Sequence, residues 1–308
     1  MGGYTVNRPS WPEALAEFLL HKRAAGVREE TLRGYERHVK QFFNRYPQAW
    51  DDISTLRQSA FEWLSEPVKP ATYNLRLVYL RAFLEWSREQ GYAGDNPLRK
   101  FKRRKADSRI VQLSEETLRA LLRLPDQKTF SGLRDYALLL LTLDTGIRPN
   151  EAFQLLAEDF DFRTLTVRIR AEVAKTKNSR ILPISPQTAQ AVRKLIQAHH
   201  PDWSGKAPVF CTFDGQPLNR HSWNDRLEMY SKRLGVKIRP YDLRHAFALL
   251  FLRRGGHAFA LQRVMGHADM SMTKRYVALT QEDLKDIHTA ATPLGAILES
   301  PQPRRRKL

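Results

Sequence analysis

YDLRHAFALLFLRRGGHAFALQRVMGHADMSMTKRY, residues 241–276, is the stretch on which the reading of the fold turns. Pro240 suits the first turn of a helix that carries Arg244 and His245. Two further helical segments follow, 258–264 and 271–279, with the Gly266-His267 turn between them. Tyr276 lies nine residues beyond His267. Guanidinium, imidazole and phenol groups brought together in this way suit the attack of a tyrosine oxygen on a phosphodiester. An anionic phosphorane needs fixed positive donors, and a phenol can become a covalent nucleophile. The same segments can also be taken for a helix-turn-helix that binds DNA without chemistry.

The bulk of the chain narrows the choice. At 308 residues two domains are expected, and 42% hydrophobic with 10% aromatic residues is enough to build proper interiors. Fifty-one Lys and Arg against 33 Asp and Glu leave a formal charge of +18, which points to a polyanionic partner, nucleic acid. One cysteine, Cys211, allows no intrachain disulfide and no thiolate cluster; it reads as a small buried apolar residue in a reducing compartment. The longest apolar run, 136–143, is too short to span a bilayer, and the N-terminus lacks the apolar core of a signal peptide, so a cytoplasmic protein with no membrane partner is expected.

Residues 1–98 read as a bundle of four helices. Ser10 can cap the first, whose apolar face holds Trp11, Leu15, Phe18 and Leu19. Leu32, Tyr35, Val39, Phe42 and Phe43 repeat the spacing, Leu56, Phe61 and Leu64 mark a shorter helix, and Tyr73, Leu77, Leu80 and Leu84 a longer one. Lys22, Arg33, Arg37, Lys40 and Arg76 fall on the expected outer faces and are candidate DNA contacts. Arg99, Lys100, Lys102, Arg103, Arg104 and Lys105 give six basic residues in seven positions, read as part of a linker, 99–112, lying along a phosphate backbone.

A second domain, 113–290, opens with Ser114 as a helix cap. The apolar helix at 134–143 must be buried, and Gly146 is the residue expected just past a helix end. Pro149 then suits the first turn of another helix carrying Glu151, Phe153, Leu155 and Leu156, which puts Arg148 in a tight bend. Leu165, Val167 and Ile169 alternate with polar residues as a strand does, and 180–184 makes its hairpin partner. The hairpin tip carries Lys175 and Lys177, with Arg180 just after it. Helical patterns return from Pro186 and at 222–234. The fold class is therefore mainly α with a small β-sheet.

Thr145-Gly-Ile-Arg-Pro-Asn-Glu-Ala152, the Lys175 hairpin ending at Pro183, Leu243-Arg-His245, Gly266-His267 and Tyr276 resemble, in order and spacing over about 160 residues, the tyrosine recombinases or phage-type integrases, Xer recombinases and mobile-element integrases most of all. The resemblance implies an N-terminal helical core-binding domain and an α+β catalytic domain that close on DNA as a C-shaped clamp. It gives Arg148 and Arg244 the non-bridging oxygens of the scissile phosphate, His267 a hydrogen bond to it, and Tyr276 the role of nucleophile that forms a 3′-phosphotyrosine. Lys175, with Lys177 as its rival two residues on, would protonate the departing 5′ oxygen. Glu151 would orient the cations and His245 would buttress the site. The sequence departs from the family at Tyr241, where most members carry histidine three residues before the second arginine. Tyr241 shares a helix face with Arg244; a phenol can donate to a phosphate but is a poor base near neutral pH.

By the same resemblance no metal or other cofactor is required, because the phosphotyrosine bond stores the energy for rejoining. The partners implied are double-stranded DNA carrying specific recombination sites, three further copies of the chain in a tetramer that works through a Holliday junction, and accessory proteins that set direction. Residues 281–288 read as a last helix. The tail, 291–308, includes apolar residues from Pro293 to Leu298 that would dock into a neighbouring protomer. A type IB topoisomerase shares the chemistry but acts as a monomer; the two-domain clamp and the apolar tail favour the recombinase.

Overall fold

The computed structural model describes residues 8–105, 110–174, 177–203, 207–280, 288 and 292–294. The chain divides into two units, 1–109 and 110–308. Lys175, residues 281–287 of the expected last helix and the tail from 295 onward lie outside the described residues.

The first unit is built on four helices: α1 (Trp11–Ala24), α2 (Glu29–Arg45), α3 (Ile53–Ser65) and α4 (Pro70–Glu89). Ser10 starts α1 as its spacing to Glu13 predicts, with its backbone N–H and hydroxyl donating to the Glu13 carboxylate at 2.8 and 2.6 Å. Asp52 caps α3 by accepting from the N–H groups of Ser54 and Thr55. The four apolar faces meet in an aromatic core in which Phe18 and Phe83 lie edge to face at 5.6 Å, and Phe43 and Trp50 at 5.5 Å. Each ring buried this way contributes about 1.5–3 kcal/mol of transfer free energy.

The basic run 99–105 is fastened to this unit. Asn74 on α4 clamps the Arg104 backbone, accepting from its N–H and donating to its carbonyl, both at 2.8 Å. The Arg104 guanidinium lies 3.8 Å over the ring of Tyr73, Arg81 donates to the Phe101 carbonyl, and Phe101 packs on Phe61. Anchored on its apolar and backbone side, the run leaves Arg99, Lys100, Lys102, Arg103 and Lys105 exposed.

The second unit opens with α5 (Glu115–Leu122), capped by the Ser114 hydroxyl, which accepts from the Thr117 N–H at 3.1 Å. α6 (Phe130–Thr145) runs buried through the core and ends at Gly146 in the left-handed conformation, φ +61°. The next helix, α7 (Pro149–Ala152), is a single turn, shorter than the pattern through Leu156 predicts. The reason is tertiary. The Leu155 carbonyl accepts from the Val209 N–H and the Leu156 N–H donates to the Asp159 carboxylate, so both groups leave the helical ladder. Phe160–Asp161 then forms an edge strand, β1, that the sequence pattern does not reveal. With β2 (Thr166–Ile169) and β3 (Arg180–Pro183) it makes an antiparallel sheet in the order β1-β2-β3, with Val167 opposite both Phe160 and Leu182.

The helices α8 (Pro186–Gln197), α9 (Arg220–Leu234), α10 (Pro240–Arg253), α11 (Ala258–Met265) and α12 (Met270–Thr280) complete the unit. α6 packs along α8 and α10, and the main core gathers around Leu138, Leu139, Val167, Val192, Phe210 and Trp223. A smaller cluster of Phe247, Leu249, Leu261, Met265 and Tyr276 joins α10, α11 and α12. Cys211 is fully buried, and burial pushes its thiol up to about 11, as expected of an inert core residue. No helix among the described residues is long and apolar enough to cross a membrane.

Candidate active site

Two helix ends and one hairpin strand build the site. α6 and α11 both finish in left-handed glycines, Gly146 and Gly266, and their last carbonyls face the same volume. Carbonyls at a helix C-terminus lack intrahelical partners and carry the negative end of the dipole, so they are natural seats for cations. Arg244 of α10 takes two of them: its Nη1 donates to the Gly146 carbonyl and its Nη2 to that of Met265 at 2.7 Å. Arg148, the residue before α7, donates from Nη2 to the Gly266 carbonyl at 2.7 Å. Neither glycine can be replaced freely. A Cβ at 146 would meet the Phe247 ring at 2.3 Å, and one at 266 would crowd the guanidinium groups of Arg180 and Arg148 at 3.2 and 3.3 Å.

Glu151 is the carboxylate that ties these cations together. It closes the first turn of α7 by accepting from the Arg148 backbone N–H, and it pairs with the Arg148 side chain at 3.0 Å. It also accepts both Nη groups of Arg180, at 2.5 and 3.3 Å. Burial pushes Glu151 upward, but Arg180 and Arg148 outweigh it and hold the carboxyl below its usual range. Arg180 belongs to the site and not only to the DNA-facing surface expected of it; its Nε donates to the Val264 carbonyl at 3.2 Å. Its place at the start of β3 is the signal in the sequence, but hairpin register alone does not say which side chain reaches Glu151.

Three guanidinium groups thus lie around one carboxylate, and two of them, Arg148 and Arg180, pair with it. Arg244, only 4% exposed, shows the strain of this excess: burial first, then the charge of Arg148, pushes it down to about 9. His267 sits next to it, with Nε2 3.3 Å from Arg244 Nη2 and Nδ1 2.9 Å from the Thr273 hydroxyl. A guanidinium only donates, so Nε2 is the acceptor and Nδ1 carries the hydrogen. Burial, then Arg244 and Arg148, drive the imidazole down to about 4. In this arrangement His267 is neutral; to donate to a phosphate from Nε2, it must exchange Arg244 for the anion and gain a hydrogen on that nitrogen.

Tyr276 of α12 comes to the same place. Its ring is buried among the apolar residues of α10 and α11 and lies parallel to His267 at 6.3 Å. Its hydroxyl is 2.6 Å from Nδ1 of His245. Burial raises the phenol, with Arg244 and Arg275 opposing. Tyr241, at the start of α10, is 45% exposed, and its hydroxyl makes no hydrogen bond among the described residues. Lys177 is exposed at the hairpin tip in the left-handed conformation, φ +56°. Among the described residues no group of three or more His, Cys, Asp or Glu side chains could hold a metal ion.

In the first unit the candidate DNA contacts differ from one another. Arg76 is committed: it lies over the Trp63 ring, donates to the Trp63 carbonyl and pairs with Glu66 at 2.6 Å. Lys40 pairs with Glu36, Lys22 lies 5.3 Å over the Phe18 ring, and Arg33 and Arg37 are exposed.

Against known proteins, the profile of the phage integrase family matches residues 111–283. The tyrosine recombinase XerC of Syntrophus aciditrophicus is 30% identical over 258 residues, covering 80% of this chain and 82% of its own. XerC of Thermodesulfovibrio yellowstonii is 27% identical over 294 residues, covering 91% and 96%. Among solved structures, the Tn1549 transposon integrase in complex with transposon right end DNA superposes with a TM-score of 0.70 at 19% identity, covering 90% of this chain and 96% of that one. A lambda integrase dimer bound to a COC′ core site gives 0.67 at 15% identity, covering 86% and 94%.

Proposed function

Because the chain belongs to the phage integrase family and is a tyrosine recombinase, we propose that it breaks and rejoins duplex DNA at paired specific sites through a 3′-phosphotyrosine on Tyr276. The observation that carries this reading is the surplus of guanidinium over carboxylate around Gly266, with the Tyr276 hydroxyl beside it. A buried surplus of positive charge is costly unless an anion completes it, and a phosphodiester is an anion with two oxygens for planar forks. Arg148 and Arg244 take the non-bridging oxygens, and Arg180 and Glu151 hold Arg148 in register. The phenol oxygen bonds to phosphorus, and the 5′ oxygen leaves with a proton from the hairpin lysine, Lys175 or its neighbour Lys177. The ester keeps the energy of the broken bond, so rejoining to a second site needs neither metal nor nucleotide. Four copies on two sites exchange strands pairwise through a Holliday junction, with the exposed cations of 99–105 and α2 on the phosphate backbone.

The test is to incubate the chain with a duplex site recovered by binding selection from a random library, denature, and look for protein attached to DNA. An adduct with wild type and none with Tyr276→Phe is the expected result. No adduct with wild type, or one that survives Tyr276→Phe, contradicts the reading.

A further inference from the structure

We propose that His245 is the catalytic group that takes the proton of the nucleophile in this chain. The inference rests on the phosphotyrosine reading above.

The geometry assigns the partner. Tyr276 Oη and His245 Nδ1 stand 2.6 Å apart, a strong hydrogen bond for a neutral pair. His267 is excluded from the task because both of its nitrogens are engaged, one by Thr273 and one by Arg244. Tyr241 is 45% exposed and makes no hydrogen bond to Tyr276. Its hydroxyl is also the wrong acid–base type, since a phenol near neutral pH keeps its proton. The Tyr276 ring is held in the apolar cluster of α10 and α11, so its oxygen is positioned before any substrate arrives.

The groups facing His245 come from two helices. Asp242 and Arg244 lie on its own helix, and Tyr276 and Arg275 on α12. Burial first, with Arg244 and Arg275 and against Asp242, lowers the imidazole from its ordinary value, so it is neutral at neutral pH. With the phenol raised and the imidazole neutral, the proposal requires the tautomer in which Oη–H donates to Nδ1 and the ring hydrogen sits on Nε2.

The step balances. As Oη bonds to phosphorus and the P–O5′ bond breaks, the phenol proton moves to Nδ1, and the departing 5′ oxygen takes a proton from the hairpin ammonium. The imidazolium forms where a phosphodiester anion has joined the cations. On rejoining, both protons return and the phenol leaves.

His245→Asn separates a base from a mere tether. The Asn side-chain oxygen reaches the position of Nδ1 and can accept the Tyr276 hydrogen bond, but it cannot hold the proton. The substrate is the selected duplex, made with either oxygen or sulfur at the bridging 5′ position of the scissile phosphate; a thiolate leaves without protonation, so the sulfur probe isolates the nucleophile's side. Expected is DNA binding within threefold of wild type and adduct formation slower by about 100-fold or more on both substrates. A loss below tenfold, or one that disappears with sulfur, overturns the assignment. Imidazole ¹⁵N shifts of the wild-type chain give a second reading independent of the variant's folding: Nδ1 of His245 must be the unprotonated nitrogen, and a hydrogen on it overturns the proposal. Wild type without any adduct overturns this proposal together with the phosphotyrosine reading, whereas a wild-type adduct with an equally active His245→Asn overturns this one alone.

Discussion

Two arginine clusters among the described residues of the second unit differ in how far cation exceeds carboxylate. Around Asp135 on α6, Arg134 donates twice to one carboxylate oxygen, Arg226 and the Tyr230 hydroxyl donate to the other, and Arg134 also takes the Cys211 carbonyl. There the carboxylate is fully buried and both of its oxygens are spoken for. Arg226 accordingly titrates above its ordinary value, because Asp135 outweighs burial. Around Glu151 the balance is reversed: an arginine, Arg244, is driven down by burial and a like neighbour. The first cluster is complete without a ligand and ties α6 to α9. The second sets three guanidinium groups around one carboxylate against two in the first, and its third, Arg244, is buried without a carboxylate partner of its own; that larger surplus marks a binding site.

The sharpest break of the comparison is Asp135→Asn. It strands the buried guanidinium of Arg134 and frees the part-exposed one of Arg226, and should cost about 3–5 kcal/mol in chemical denaturation, while the folded fraction forms adduct within threefold of wild type. Arg148→Ala should do the reverse. It removes one donor to the transition state, so adduct formation in single-turnover gels should fall about 100- to 1,000-fold, with the denaturation midpoint nearly unmoved because one excess charge has gone. A similar stability loss in both variants would mean that the clusters do not differ in kind.

A smaller effect sharpens the contrast. Sulfate should bind where cations are in surplus, raising wild-type stability by about 1.4 kcal/mol at ten times its dissociation constant, and Arg148→Ala should lose that gain in calorimetry. A further expected effect concerns acid. His267 is held down to about 4 in the folded chain against an ordinary 6.5. Between those values the unfolded chain binds the proton and the folded one does not, so its contribution to stability falls as pH drops from 6.5 through 4. His267→Asn should show a flatter decline of melting temperature over that window, and sulfate should flatten the wild-type curve by favouring the imidazolium.

Much of this was legible in the sequence because it is local. Ser10, Ser114 and Gly146 announce helix ends through caps and a left-handed glycine, and the alternation at Val167 and Ile169 announces β2. Arg148, Arg244, His267 and Tyr276, singled out through the family resemblance, lie near one another around Gly266. What escaped depends on partners distant in the chain. β1 has two residues and therefore no period to read. Arg134 and Asp135 lie in an apolar helix and their burial is set by α9, while Arg76 and Arg104 look like surface cations until Trp63 and Tyr73 are seen beneath them. Arg180 escaped as a site residue for the same reason, since Glu151 lies 29 positions away.

The central claim is that a cation-rich cradle holds one phosphate for the phenol at 276. Its most direct test is to trap the covalent complex on the selected duplex, digest both protein and DNA, and identify the peptide that retains a nucleotide by mass spectrometry. The account predicts a single modified peptide with the nucleotide on Tyr276 through a 3′ phosphate, and none from Arg148→Ala at the same exposure. A nucleotide on Tyr241 or any other side chain, or a 5′ linkage, would contradict it.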